Sequence, residues 1–213
     1  MTPADYEAWY RTPRGRWIGE TEYALAARRL APARGDSLLD IGCGTGWFAR
    51  RAAADGLAVT GLDPDAAWLA YARTHSSPAL RWVEGDARAL PFADASFDHV
   101  LSIAALCFID DPQQAVAEAL RVTRRRFAIG WLNRSSLLYR RKGRHGGSGA
   151  YRGASWHTAD EVREMFAGLP VKKLSLRSAI FLPSGSGFAA RLEQSVPTVL
   201  PWGGLLLASG EKR

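Results

Sequence analysis

The chain has 213 residues, 47% of them apolar and 23% charged, with a formal net charge of +7. That supports one large domain with a packed core and excludes a wholly disordered chain. Its two cysteines, Cys43 and Cys107, lie outside any Cys-x-x-Cys or Cys/His cluster, which argues against a disulfide framework or a structural zinc site.

The amino terminus has neither the basic start nor the apolar stretch of a signal peptide. The longest apolar-rich run, residues 100–109, falls short of the roughly 18 residues a membrane helix requires. A cytoplasmic protein with no membrane partner and no metal is therefore expected.

In chain order, residues 17–30 read as a helix and 37–41 as a short apolar strand ended by glycines. Residues 47–55 are helical up to Gly56, and 58–62 form the next strand. Pro64 opens a helix to about Ala72, because proline is tolerated at a first helical position. Residues 80–84 and 97–103 are further strands. Asp111-Pro112 starts a helix as cap and first turn, and 126–132 form a buried type of strand. The Gly/Ser/Arg-rich segment 133–157 reads as an insertion or flexible lid. Thr158-Ala159-Asp160-Glu161 is a capping-box pattern, so a helix follows, to stop at Gly168.

Residues 171–182 alternate. Leu174, Leu176 and Ile180 point one way and Lys173, Ser175 and Arg177 the other, as on an edge strand with one wet face. Residues 205–209 read as a central strand. With no helix expected between these two, they form a hairpin that puts one antiparallel strand into a parallel α/β sheet.

Charge is uneven. Residues 119–159 hold no carboxylate but carry Arg121, Arg124, Arg125, Arg126, Arg134, Arg140, Arg141, Lys142, Arg144 and Arg152. Either an acidic partner docks there or these are solvated side chains.

The chemistry concentrates in Leu38-Leu39-Asp40-Ile41-Gly42-Cys43-Gly44-Thr45-Gly46-Trp47. A strand runs into three alternating glycines and a helix follows. Glycines let backbone turn sharply and approach a ligand, and the helix start offers free N–H groups. Two acids follow at matched spacing. Asp63 lies 23 residues after Asp40, and Asp86 lies 23 after Asp63, each at the end of a strand. A carboxylate at the first place can accept from ribose hydroxyls, and one at the second from an adenine amino group.

With Gly61-Leu62-Asp63-Pro64, Glu84-Gly85-Asp86-Ala87 before Leu90-Pro91-Phe92, and Ser96-Phe97-Asp98-His99-Val100-Leu101-Ser102, this pattern resembles the class I S-adenosylmethionine-dependent methyltransferases, in the small UbiE-like, type 11 subgroup. Residues 9–16 resemble that subgroup's cofactor-capping segment. The likeness runs from about Tyr6 to Arg121.

The resemblance implies a Rossmann-like, seven-stranded, mostly parallel sheet with one antiparallel strand and helices on both faces. It implies one methyltransferase domain: cap helices in 1–35, a cofactor-binding core in 36–132, a basic insertion or lid in 133–157, and a helix with a β-hairpin in 158–213. S-adenosylmethionine is the implied cofactor and S-adenosylhomocysteine its product. Tyr10, Asp40, Gly42, Cys43, Gly44, Gly46, Asp63, Pro64, Asp86, Ala87 and Ser102 are its implied contacts. Gly42, Gly44 and Gly46 would line the methionine and ribose part, Asp63 would bind ribose, and Asp86 with Ala87 would hold adenine. Asp98 reads as structural. Tyr6, Trp9, Tyr10 and Trp47 are candidates for facing the sulfonium or for plain packing.

Many relatives carry a histidine just after the fourth strand. Here the segment reads Ala105-Leu106-Cys107-Phe108-Ile109, so the catalytic base stays unassigned. Trp131, Asn133, Tyr139, Trp156 and His157 are candidate acceptor residues, and the arginines suggest a small acceptor bearing a carboxylate or phosphate. Three alternatives remain: an RNA methyltransferase using 119–159, a nicotinamide-dinucleotide oxidoreductase, and a non-catalytic cofactor sensor. The oxidoreductase fingerprint requires a third glycine where Trp47 stands.

Overall fold

The computed structural model describes residues 1–213. Seven strands form one sheet: β1 (Ser37–Ile41), β2 (Ala58–Asp63), β3 (Arg81–Glu84), β4 (Phe97–Ile103), β5 (Thr123–Leu132), β6 (Val171–Ala179) and β7 (Leu205–Lys212). Their spatial order is β3-β2-β1-β4-β5-β7-β6. All pairs from β3 to β5 are parallel, and β7 runs antiparallel to both β5 and β6. The expected architecture is therefore the one observed. No helix is long and apolar enough to cross a membrane.

Period-2 alternation sorts the strand side chains onto two apolar layers. Leu39, Val100, Phe127 and Leu206 face one layer, which α5 (Pro112–Val122) and α6 (Ala159–Glu164) cover. Leu38, Leu101, Ala128 and Leu207 face the other, beneath α2 (Pro13–Leu30) and α3 (Trp47–Ala54). The order reverses between β1 and β4, and that switch opens a crevice beyond the carboxyl ends of the strands.

Several local expectations are corrected. The helix after β2, α4 (Ala66–Thr74), begins at Ala66 with Asp65 as its cap, so Pro64 precedes the helix. Asp65 accepts from the N–H groups of Ala67 and Trp68, which outweighs proline's preference for a first helical place. The last two strands are not a simple hairpin. A helix, α7 (Gly187–Ser195), capped by Ser186, lies between them. On β6, a register shift between Lys172 and Ser175, with Lys173 at φ 54°, turns Leu174 outward to 36% exposure. The alternating pattern had placed it inside. An additional helix, α1 (Pro3–Arg11), carries Tyr6 and Tyr10, with a Thr2/Asp5 capping box at its start.

Segment 133–157 is not a loose flap. It folds as one π-type turn (Tyr139–Gly143) and two single 3-10 turns, Arg144–Gly146 and Gly149–Tyr151. Leu138 and Trp156 insert into the core, and the Ser155 N–H donates to the Cys107 carbonyl at 2.7 Å.

Trp131, near the end of β5, is fully buried, with its ring edge-on to His157. Trp131→Ala should cost about 3–5 kcal/mol through lost burial and the cavity it leaves. Urea denaturation would show this as a lower midpoint, and an unchanged midpoint would contradict the packing.

Candidate active site

The bend after β1 is hooked onto the end of β2. The N–H groups of Gly42 and Cys43 both donate to the Leu62 carbonyl, at 2.7 and 3.0 Å. Gly42 has φ 69° and Gly46 φ 80°, backbone that L side chains rarely adopt. Space excludes a side chain too: a Cβ on Gly42 would stand 2.2 Å from the Ala105 Cβ, and one on Gly46 would stand 2.4 Å from Trp82. Ala105 reaches that place because Ala104, just after β4, is held at φ 54°.

Asp63 braces the bend from the end of β2. One of its oxygens accepts from the Gly44 N–H at 2.9 Å and the other from the Asp65 N–H at 3.0 Å. Each oxygen keeps a lone pair for a further donor. Burial raises its pKa, against the two backbone hydrogen bonds.

Asp40 is only 2% exposed, and its Oδ2 has no hydrogen-bond partner. Burial, reinforced by the charge of Asp63, pushes its carboxyl up to about 8, while the Ala49 N–H in the first turn of α3 pulls the other way. A buried carboxylate oxygen with no donor implies a missing cation or donor. The hydroxyls of Thr45, within the bend, and of Ser102, near the end of β4, are also buried and without a hydrogen-bond partner. Sequence reading quoted Thr45 within the bend but passed over its side chain.

Asp86, at the end of β3, is half exposed and gripped by Arg88, with Nε···Oδ1 at 3.0 Å and Nη2···Oδ2 at 2.7 Å. These contacts lower its pKa. The neighbouring Ala87 is buried, and its N–H has no acceptor within the chain. The Cys43 thiol is buried beside Gly61 and raised in pKa by burial, which leaves its backbone as the part of Cys43 that lies in the bend. Pro64 is exposed beside Asp63.

Aromatic rings roof the bend. Trp68 of α4 packs against Gly44, and Tyr6 meets Trp68 edge-on at 5.2 Å. Tyr10 stacks on Trp47 at 4.6 Å, and the two phenol oxygens lie 3.2 Å apart. The Glu7–Arg50 ion pair at 2.5 Å ties α1 to α3, and Arg50 also donates to the Thr45 carbonyl. Trp68 was missed because an aromatic on a helix reads first as packing.

The candidate acceptor residues divide. Trp131 is core. Asn133 is fully buried, and its amide donates to the carbonyls of Pro201 and Gly203 and accepts from the Ser135 N–H. The Asn133 amide is thus engaged in holding the wall, whereas the buried indole Nε1 of Trp131 has no hydrogen-bond partner. Tyr139 and Tyr151 lie against Trp156 at 5.3 and 5.6 Å. His157 has a buried, unpartnered Nε2, and burial lowers its pKa.

Five of the ten cations are spoken for. Arg121, Arg124, Arg125, Arg126 and Arg134 pair with Glu118 and Asp94, Asp98, Asp36, Glu211 and Glu161 respectively. Asp98 also accepts from the Ser37 hydroxyl at 2.7 Å, a clamp at the far ends of β1 and β4. Arg140, Arg141, Lys142, Arg144 and Arg152 stay exposed.

A family described as a methyltransferase domain matches residues 39–126. An uncharacterized protein of Mycobacterium tuberculosis is 36% identical over 192 residues, which is 85% of this chain and 62% of that protein. The chain thus spans about three-fifths of that relative's length. A malonyl-[acyl-carrier protein] O-methyltransferase of Erwinia pyrifoliae is 43% identical over 108 residues, 49% of this chain and 41% of that enzyme. Among solved structures, a Thermotoga maritima S-adenosylmethionine-dependent methyltransferase described as a possible histamine N-methyltransferase superposes with a TM-score of 0.79. It covers 99% of this chain and 96% of its own, and at 24% identity it speaks to the fold. Trp47, whose ring is stacked on Tyr10, occupies the place a dinucleotide fingerprint reserves for glycine, which disfavours the oxidoreductase alternative. The matched span contains the bend, Asp63 and Asp86 together; over it the chain is similar to the methyltransferase domain family, and its fold is shared with the Thermotoga maritima methyltransferase.

Proposed function

We propose that the chain binds S-adenosylmethionine at the carboxyl ends of β1 to β4 and transfers its methyl group in line to a small-molecule acceptor. The observation that carries this reading is the buried, unpartnered oxygen of Asp40, next to a bend braced by Asp63. Asp40 would take the cationic amino group of the methionine part. Asp63 would take the ribose hydroxyls on its free lone pairs. Asp86 and the Ala87 N–H would hold adenine, and the bend at Gly42, Gly44 and Gly46, the backbone at Ser102 and the ring of Tyr10 would enclose the rest.

The cofactor supplies an electrophilic methyl group and a good, neutral leaving group. The chain therefore has to bind, orient and keep water out. The rings of Tyr6, Tyr10, Trp47 and Trp68 supply an apolar roof whose faces favour a cation. The exposed arginines favour an acceptor that carries an acidic group away from its reacting end. Arg140 stands in an open groove of about 730 Å³ otherwise lined mainly by apolar side chains, among them Leu137, Phe181 and Trp202.

Calorimetric titration with S-adenosylhomocysteine tests this. Binding at micromolar Kd, about −8 kcal/mol, with no heat from NAD is the expected result. Binding of NAD alone would overturn the reading.

A further inference from the structure

No histidine follows β4 to serve as a base, yet α2 carries a partly buried carboxylate, Glu22, that no hydrogen bond or cation answers. Glu22 lies on α2, three residues after Gly19, whose backbone packs against Trp47 and Tyr10 so closely that a Cβ there would stand 2.8 Å from Trp47. Residues three apart share a helix face, so Glu22 projects toward the same rings. It is half-buried, and no hydrogen bond or cation answers its charge.

Charged and titratable groups from three other elements bear on it. Burial raises the phenols of Tyr6 and Tyr10 of α1 and of Tyr151 in the 133–157 segment, and the charge of Glu22 adds to each; Glu193 of α7 in turn adds to the burial that raises Glu22. Glu193 is itself engaged, accepting from the Ile180 and Phe181 N–H groups at 2.7 and 2.9 Å. Arg14 of α2 neighbours Tyr151 but gives its Nε to the Pro183 carbonyl at 2.6 Å. Burial dominates at Tyr6, and the charges of Glu22 and Asp40 both add to it. Burial, with Glu193, pushes Glu22 up to about 8. That suits a group exchanging protons near neutral pH.

We propose that Glu22 is the acceptor-side carboxylate of the transfer site, receiving the proton of an N–H or O–H nucleophile, an amine above all. This rests on the cofactor reading above and concerns the reacting end of the acceptor, whereas the exposed arginines concern its other end. The step balances. The acceptor nitrogen forms its bond to the methyl carbon, the carbon–sulfur bond breaks with its pair left on sulfur, and the nitrogen's proton passes to Glu22. A sulfonium and a carboxylate become a thioether and a carboxylic acid, with no net charge left on the reacting groups.

The test uses the whole chain loaded with S-adenosylhomocysteine, titrated calorimetrically with 2-phenylethylamine as the amine probe at pH 6.5, 7.5 and 8.5. The expected result is affinity that rises with pH as Glu22 ionises, and at least a tenfold loss with no pH dependence in Glu22→Gln. The S-adenosylhomocysteine affinity of the variant should stay within twofold, and its melting temperature should not fall, since a poorly solvated charge has been removed. Wild type that fails to bind the amine at pH 8.5, or a variant that binds it equally well, would overturn the proposal. Failure of S-adenosylhomocysteine to bind wild type would sink the cofactor reading instead, so the two failures are distinct. Carboxyl-carbon NMR gives an independent check: Glu22 should titrate near 8 in the free protein and lower with the amine bound, and a midpoint near 4.5 would count against it.

Discussion

Asp63→Ala is expected to weaken S-adenosylhomocysteine binding about 100-fold or more while leaving the chain folded. The carboxylate already holds the Gly44 and Asp65 N–H groups, so its charge and its two remaining lone pairs are oriented before any ligand arrives. Hydrogen bonds to a charged group contribute about 1.5–3 kcal/mol each, and two from ribose hydroxyls reach the factor of 100. Asp63→Asn should be no milder. Both oxygens face backbone donors, so an amide must point its NH₂ at one of them. Asp86→Ala serves as the internal comparison and should lose less, because Arg88 and solvent already occupy much of that carboxylate. Calorimetry reads the affinities and circular dichroism the fold. An Asp63→Ala affinity within threefold of wild type would mean that the carboxylate only braces a turn.

How far such residues could be read from sequence depends on how local their causes are. The bounds of β1 and β4 were legible because each is a short apolar run stopped by a turn. Asp40, Asp63 and Asp86 were legible because spacing along parallel strands places strand ends side by side. The hydrophobic pattern also gave β6 as an edge strand, but not its shift at Lys172, because a bulge adds a residue without marking the composition. Helix α7 escaped because its flanks, Ser184-Gly185-Ser186 and Pro197, read as loop, although Ser186 caps it. Trp131 and Asn133 looked like pocket residues by type, since aromatic and amide side chains serve walls and ligands equally. That the Asn133 amide is tied to the Pro201 and Gly203 carbonyls, from the far end of the chain, is set by tertiary packing and leaves no mark on the local sequence. Glu22 was invisible for the same reason. Among the carboxylates of the first two helices, which one is left partly buried with no hydrogen bond or counter-charge is a matter of tertiary packing alone.

Asp40→Asn should separate stability from binding. In the free protein the carboxyl titrates near 8 rather than near 3.8, so the folded chain holds that proton more tightly than the unfolded chain does. The sign follows from linkage. Asp40 costs nothing below about pH 4, and its destabilising effect grows as pH rises from there toward 8, reaching on the order of a few kcal/mol. Asp40→Asn should therefore melt higher than wild type at pH 8 and nearly level with it at pH 4. Binding should move the other way. The cationic amino group of the ligand requires the ionised carboxylate, so wild type should release a proton on binding at pH 7, and affinity should rise toward pH 8. The variant should bind about 100-fold more weakly, without that proton release, because a charge-assisted contact in a buried site has become a neutral one. Calorimetry in two buffers of different ionisation enthalpy counts the protons directly. A count of zero for wild type at pH 7, together with unchanged affinity in Asp40→Asn, would place the ligand's amino group elsewhere and leave Asp40 as a strut of the bend, with its charge unanswered.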